Sequence, residues 1–189
     1  MKVLGIAGSP RRGGNTDILL AEVLRGAASK GAETKTVVLS SLNIRPCHHC
    51  DYCQKTGNCH IHDDMHTVNQ ELTEAAVIIL ASPVQFMGVT GELKVMIDRG
   101  QAMWSRKYVL KIPSLAPVKD RKGFFISVGA RKVANLFEPS LAIIKSYFHV
   151  MDIKYAGDLL IAEIDEKGAI AKHPDVLQQA FSAGQKMVE

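Results

Sequence analysis

The amino-acid sequence predicts an α/β fold, a doubly wound parallel sheet of five strands with helices on both faces and residues 1–189 forming one domain. Three observations carry this expectation. Short runs rich in Val, Ile and Leu alternate with stretches whose apolar residues recur at helical spacing. Residues 76–81 are continuously apolar, as a central parallel strand buried on both faces must be. At 189 residues, 47% apolar and 22% charged, the chain is a globular mixture long enough for one full core.

Taken in order, residues 2–7 form the first strand, and Leu20, Val23, Leu24 and Ala27 mark a crossover helix that starts at Asn15-Thr16. Residues 34–39 form a second strand whose polar alternation at its start suits a sheet edge, and residues 75–81 form the third. Leu93, Met96 and Ile97 repeat at helical spacing after Gly91, giving a second crossover helix. Residues 123–128 and about 153–160 complete the strands, with a helix over 141–150 between them. Pro174, then Leu177, Phe181 and Val188, read as a C-terminal helix with proline in its first turn. Two segments break the alternation: 40–63, an insertion that holds every cysteine, and 105–121, with Pro113 and Pro117. Long irregular segments in compact domains are often functional; for the second, a surface excursion or a subunit contact is the plainer expectation.

Composition excludes several classes of function. No stretch of eighteen uncharged apolar residues is present, and the opening MKVLGIAGSP breaks its apolar run too early for a signal-peptide core, so no membrane span and a cytoplasmic location are expected. The formal net charge of +4 comes from 23 basic and 19 acidic residues spread along the chain, without the basic stripe that nucleic acid requires.

Gly8-Ser9-Pro10-Arg11-Arg12-Gly13-Gly14-Asn15-Thr16 links the first strand to the first helix. Backbone N–H groups at a helix start carry partial positive charge, and Ser9, Asn15 and Thr16 add short donors that suit a phosphate. Gly5 and Gly8 are too far apart for the dinucleotide fingerprint G-x-G-x-x-G. Gly8 and Gly13 satisfy G-x-x-x-x-G, but Gly14-Asn15 stands where a nucleoside-triphosphatase loop carries Lys and then Ser or Thr. A monophosphate held by backbone and hydroxyl groups fits best, against the plainer reading of a turn that caps a helix. The rest of its ligand is expected at the topological switch point by the third strand.

There stand Ser82-Pro83-Val84-Gln85-Phe86-Met87-Gly88-Val89-Thr90-Gly91, followed by Leu93-Lys94 and Ile97-Asp98-Arg99. Together GSPRRGGNT, SPVQFMGVTGELKVMIDR, the cysteine segment and the ending GAIAKHPDVLQQAFSAGQKM resemble the NAD(P)H-dependent FMN reductase and iron-sulfur flavoprotein branch of the flavodoxin-like superfamily. The resemblance implies a strand order of 2-1-3-4-5 and an FMN-dependent oxidoreductase, with the flavin carrying the chemistry and no catalytic side chain. Its phosphate would lie on Ser9, Arg11, Asn15 and Thr16. Its ring would lie against Pro83, Val84, Gln85, Phe86, Met87 and Gly88, with Gly129 and Ala130 as a third wall. Many relatives carry Tyr where this chain has Gln85, which weighs against aromatic stacking there. Arg131 and Lys132 read at least as well as solvated surface, and Asp98-Arg99 as a helix or subunit-interface pair.

Cys47, Cys50, Cys53 and Cys59 lie within thirteen residues as C-x2-C-x2-C-x5-C, and no other cysteine exists. A disulfide framework is disfavoured in a cytosolic chain of this size. Zinc more often takes two separated knuckles. The nearby histidines, His48, His49, His60, His62 and His66, read individually as surface residues. Compact runs of this kind hold iron-sulfur clusters, and the resemblance implies a 4Fe-4S cluster beside the flavin; a reduced, metal-free loop stays open. With a cluster, a ferredoxin-like carrier is the expected partner. Without it, NAD(P)H would reduce FMN, quinones or nitroaromatics. A non-enzymatic flavodoxin-like carrier is the alternative of another class; its usual surface is acidic, whereas this chain has a pI near 8.9. A homodimer or homotetramer is expected from the resemblance and from the unexplained segment 105–121.

Overall fold

The structure, a computed structural model, describes residues 1–189. Its elements follow in the order β1 (Lys2–Ala7), α1 (Asn15–Ser29), β2 (Glu33–Val38), α2 (Tyr52–Thr56), α3 (Met65–Glu74), β3 (Val77–Pro83), α4 (Gly91–Arg99), α5 (Gln101–Trp104), β4 (Arg121–Val128), α6 (Glu138–Val150), β5 (Ile153–Ile161) and α7 (Pro174–Met187). All strand pairs are parallel and the sheet order is β2-β1-β3-β4-β5, the order that the family resemblance implies. No helix is long and apolar enough to cross a membrane.

Alternation along each strand divides the core between the two faces. Val3, Ala7, Val77, Ile79 and Ala81 face α1 and α7, whereas Leu4, Ile6, Ile78, Leu80 and Phe125 face α3, α4 and α6. Both sets are closed to solvent, at roughly 1.5–3 kcal/mol for each large side chain removed from water. On the first face α1 and α7 meet backbone to backbone: a Cβ on Gly26 would stand 1.9 Å from the Phe181 carbonyl oxygen, and one on Gly184 1.9 Å from that of Val23. The sequence periodicity shows two amphipathic helices but not that glycines let them touch.

Boundaries move by a few residues where caps intervene. β2 stops at Val38 because Leu39 begins a 3-10 turn, and β3 starts at Val77 because the Ala75 N–H still closes α3 on Glu71. Segment 105–121 opens with a π-helical turn, Ser105–Val109, that continues α5. Arg121 holds its far end. Only 3% exposed, it donates to the carbonyls of Ala75 and Met151 at 3.0 and 3.1 Å, and also to that of Leu72. Carbonyls at the ends of α3 and α6, which helix geometry leaves without partners, are satisfied by one guanidinium. Burial pushes its pKa below the ordinary arginine value, against the pull of Tyr147 and Asp152.

Because every strand runs the same way, the connections after β1, β2, β3, β4 and β5 all leave the same edge of the sheet. That edge carries the candidate site.

Candidate functional site

Where β1 ends, the Gly8 N–H donates to the Ala81 carbonyl at 2.8 Å, and the buried Thr90 hydroxyl donates to the Gly8 carbonyl. The chain then folds back on itself. Ser9 Oγ accepts from the Arg11 N–H at 3.1 Å and donates to the Arg11 carbonyl at 3.2 Å, which also accepts from the Gly14 N–H at 3.2 Å. α1 starts after Gly14, which has no side chain to cap it, and the first intrahelical bond runs from the Ile18 N–H to the Gly14 carbonyl. The N–H groups of Asn15, Thr16 and Asp17 therefore donate to nothing in the chain. Thr16 is only 2% exposed and its hydroxyl makes no hydrogen bond, while the Gly13 N–H is taken by the Asp17 carboxylate at 2.8 Å. Unpartnered amides at an uncapped helix start, with a free hydroxyl among them, form an anion cradle.

This cradle is one wall of a cleft of about 130 Å³. Ser9, Pro10, Arg11, Gly14, Asn15 and Thr16 line one side, Pro83, Val84 and Gln85 another, and Val128, Ala130, Ile164, Asp165 and Lys167 the third. Seven residues picked out in the sequence, Ser9, Arg11, Asn15, Thr16, Pro83, Val84 and Gln85, thus come together. Four do not line the cleft. Gly129 turns the chain, donating to the Ile161 carbonyl and accepting from the Ile164 N–H, and a Cβ on it would stand 2.6 Å from Leu136 Cδ2; its neighbour Ala130 faces the cleft instead. Gln85 and Gly88 exchange N–H···O bonds of 2.9 Å, which closes a two-residue turn on Phe86 and Met87. Both have positive φ, 47° and 67°, in a turn type that ordinarily takes Asn-Gly, at a cost of about 1–2 kcal/mol per residue. Phe86 projects fully into solvent, and the Phe86 and Met87 amides donate to no group in the chain.

Asn15 differs in its contacts from the other cradle residues. Its Nδ2 donates to the Glu166 carbonyl at 2.9 Å and its Oδ1 accepts from the Ile170 N–H at 3.2 Å, which clamps the β5–α7 connection over the cradle. The wall formed by Ile164, Asp165 and Lys167 carried no local signal, because the bonds that bring it to the first loop join residues 151 and 155 positions apart. Ser82 and Thr90 were also missed as organisers, although Thr90 just ahead of a helical run is a recognisable N-cap: its hydroxyl accepts from the Leu93 N–H.

All four cysteines lie on one small cavity beside Arg99, Gln101 and Ala102, and none is in a disulfide. The sulfurs receive polar contacts: the His49 N–H donates to Cys47 at 3.4 Å, Ser105 Oγ to Cys53 at 3.3 Å, and His60 Nδ1 lies 3.3 Å from Cys50. Four unpaired thiols sharing one cavity, with hydrogen-bond donors about the sulfurs, suit an iron-sulfur cluster in donor chemistry. As placed, no three of the chain's His, Cys, Asp and Glu side chains are grouped to hold a metal ion.

The segment is fastened by Asp63, whose carboxylate receives both NH groups of Arg99 at 2.6 and 3.1 Å and the Arg45 N–H at 2.9 Å. Both charged side chains are about 2% exposed. Burial raises the Asp63 pKa, but the hydrogen bonds from Arg99 and Arg45 and the Arg99 charge outweigh it and hold the carboxyl below its ordinary value. Burial likewise lowers Arg99, and Asp63 together with Cys59 more than offsets it.

Comparison with known proteins adds the following. The family model for NADPH-dependent FMN reductase matches residues 1–153. The iron-sulfur flavoprotein MJ1083 of Methanocaldococcus jannaschii is 35% identical over 158 residues, 84% of this chain and 77% of that protein. An iron-sulfur flavoprotein of Methanosarcina thermophila is 30% identical over 158 residues, 84% and 78% of the two chains. Among solved structures a flavone reductase superposes with a TM-score of 0.77 at 22% identity, covering all of this chain and 62% of that one, a likeness of fold.

The buried pair has a consequence for stability against pH. A carboxyl with a depressed folded pKa contributes stability that is complete above its unfolded value and is lost as pH falls through the folded one. Asp63→Asn, which leaves Arg99 buried without its counter-charge, is expected to cost about 3–5 kcal/mol at neutral pH. In urea titrations the gap between wild type and variant should narrow as pH drops below the ordinary carboxylate range; a gap independent of pH would mean that the pair is not ionised.

Proposed function

Because this chain belongs to the flavodoxin-like NADPH-dependent FMN reductase and iron-sulfur flavoprotein family and is an FMN-dependent oxidoreductase, we propose that its flavin occupies the cleft at the carboxyl edge of the sheet, with the phosphate in the α1 cradle. The observation that carries this reading is the uncapped start of α1, whose Asn15, Thr16 and Asp17 amides and Thr16 hydroxyl are without partners. When bound, FMN supplies two-electron exchange with NAD(P)H and one-electron exchange with a carrier. The chain's own work is to hold and orient it. Ser9 shapes the cradle through Arg11, Arg11 adds charge, and Pro83, Val84 and Gln85 form the wall for the ring. The free amides of Phe86 and Met87 stand at the same loop, available to a polar ring edge, and the two Gln85–Gly88 bonds keep them presented.

The second half of the proposal is that Cys47, Cys50, Cys53 and Cys59 would hold a 4Fe-4S cluster, a group that would supply single-electron exchange with a ferredoxin-like carrier. Four unpaired thiols on one cavity support it, as do relatives called iron-sulfur flavoproteins. The absence of any three grouped ligands supports the other reading, a cluster-free NAD(P)H-dependent reductase of FMN, quinones or nitroaromatics. Free thiols suit a reducing cytoplasm, and we place the protein there, as one domain with the segment 40–63 inserted. Trp104, Tyr108, Val109, Ile112 and Leu115 are exposed within twelve residues of one another in sequence, which supports a homodimer or homotetramer.

Flavin released from the purified protein should run as FMN by chromatography, and Thr16→Val should weaken FMN binding by about 1–3 kcal/mol, the cost of removing one partner from a buried polar contact. Recovery of FAD, or an unchanged affinity, would count against the cradle. Anaerobic reconstitution with iron and sulfide should load wild type and fail on Cys50→Ser; trace iron in the wild type leaves the cluster-free reductase. Light scattering should give a mass above that of one chain, and a strictly monomeric mass at high concentration sinks the oligomer.

A further inference from the structure

The cradle has a shortage of positive charge. A phosphate monoester carries about −1.5 to −2 at neutral pH, and the start of a helix supplies about half a positive charge. Arg11 on the same wall contributes one, but the carboxylate of Asp165 also lines the cleft and opposes it. The first loop also lacks the lysine that nucleoside-triphosphate loops carry at this place.

Resting on the reading that a flavin monophosphate occupies the α1 cradle, we propose that Lys167 is its cationic partner and a determinant of selectivity for FMN over uncharged riboflavin, and that Asn15 is the positioning residue that brings it there. Lys167 is on the wall of the cleft, forms no ion pair within the chain, and has its Cε 4.0 Å from where a Cβ on Gly13 would stand. Its side chain therefore reaches the first loop from a segment more than 150 residues away, with Cε beside Gly13. The connection carrying it turns through the Ala169 N–H, which donates to the Glu166 carbonyl at 3.1 Å, into a short 3-10 turn, Ala169–Lys172, with Ile170 buried. Two Asn15 bonds bracket Lys167 and tie this turn to the start of α1, one to Glu166 before it and one from Ile170 after it. An amide spent on both bonds serves a ligand less by touching it than by fixing the residue that does.

The test is titration of flavin-free full-length protein with FMN and with riboflavin, followed by quenching of flavin fluorescence. Lys167→Met should weaken FMN about tenfold, the scale of one charge-assisted contact, and leave riboflavin within about twofold. Lys167→Arg should retain FMN affinity, and the salt dependence of FMN binding should be shallower in Lys167→Met than in wild type. Asn15→Ala should lose FMN affinity in the same way, and the double variant should be no weaker than Asn15→Ala alone. An FMN affinity unchanged by Lys167→Met, or a matching loss for riboflavin, overturns the role of Lys167. Losses that add in the double variant overturn the positioning role of Asn15. A wild type that takes up riboflavin as tightly as FMN overturns the phosphate cradle itself, and is thereby distinguished from a failure of Lys167 alone.

Discussion

The Gly8 carbonyl lies just past the last ladder position of β1, inside the protein, and a buried carbonyl must find a donor. It finds the Thr90 hydroxyl, from the residue that caps α4. That bond ties the loop after β1 to the loop after β3. The Thr90 N–H in turn donates to Ser82 Oγ at 3.0 Å, and Ser127 Oγ donates to the Ser82 carbonyl at 2.9 Å, so the ends of β1, β3 and β4 are joined by buried hydroxyls. A Cβ on Gly8 would come within 3.0 Å of both the Ala81 carbonyl and Leu93 Cβ, so the approach that makes the bond is open to glycine. The first two walls of the cleft inherit their positions from this crossing.

Against that rigid frame, two parts of the site are costly conformations held by their surroundings. The Phe86-Met87 turn keeps non-glycine residues in the left-handed region, which persists because Gln85 and Gly88 lock it from both sides and the Ser140 hydroxyl holds the Met87 carbonyl at 3.4 Å. The cysteine segment has little secondary structure beyond α2, with His49 and Asp51 also at positive φ. Its attachment is electrostatic: Arg99 of α4 reaches Asp63 and the carbonyls of Arg45 and Ile61. Replacing such a pair by apolar residues is often harmless, whereas removing one partner is not. The arrangement thus makes the thiols depend on α4, the helix capped by Thr90, which also ties the cysteine cavity to the cleft at the carboxyl edge of the sheet.

Much of this was legible beforehand. Short apolar runs alternating with helical periods determined the class of fold, since a strand buried on both faces cannot carry the polar alternation of an exposed one. The glycine-rich stretch after residue 7 marked a candidate anion site because helix starts leave amides unpaired whatever the tertiary context. Clustering of the cysteines was equally visible, as spacing is a property of the chain. Strand ends were less legible: Leu39 is apolar enough to extend β2, and only its 3-10 turn shows that it does not.

What the sequence determined by itself is therefore local, namely the five strands and four of the helices, the glycine-rich loop that runs into the first helix and which thiols are neighbours. The tertiary structure alone decided what meets across the sheet edge. Asn15 reads in the sequence as a ligand and in the structure as a clamp on Glu166 and Ile170. Lys167 drew no assignment from the sequence and lies on the cleft wall, and Phe86, an apolar residue expected at the ring, points into solvent. The reason is physical: a side chain's partner across 151 residues depends on crossover geometry and the register of parallel strands, neither of which leaves a mark in the local pattern of apolar and polar residues.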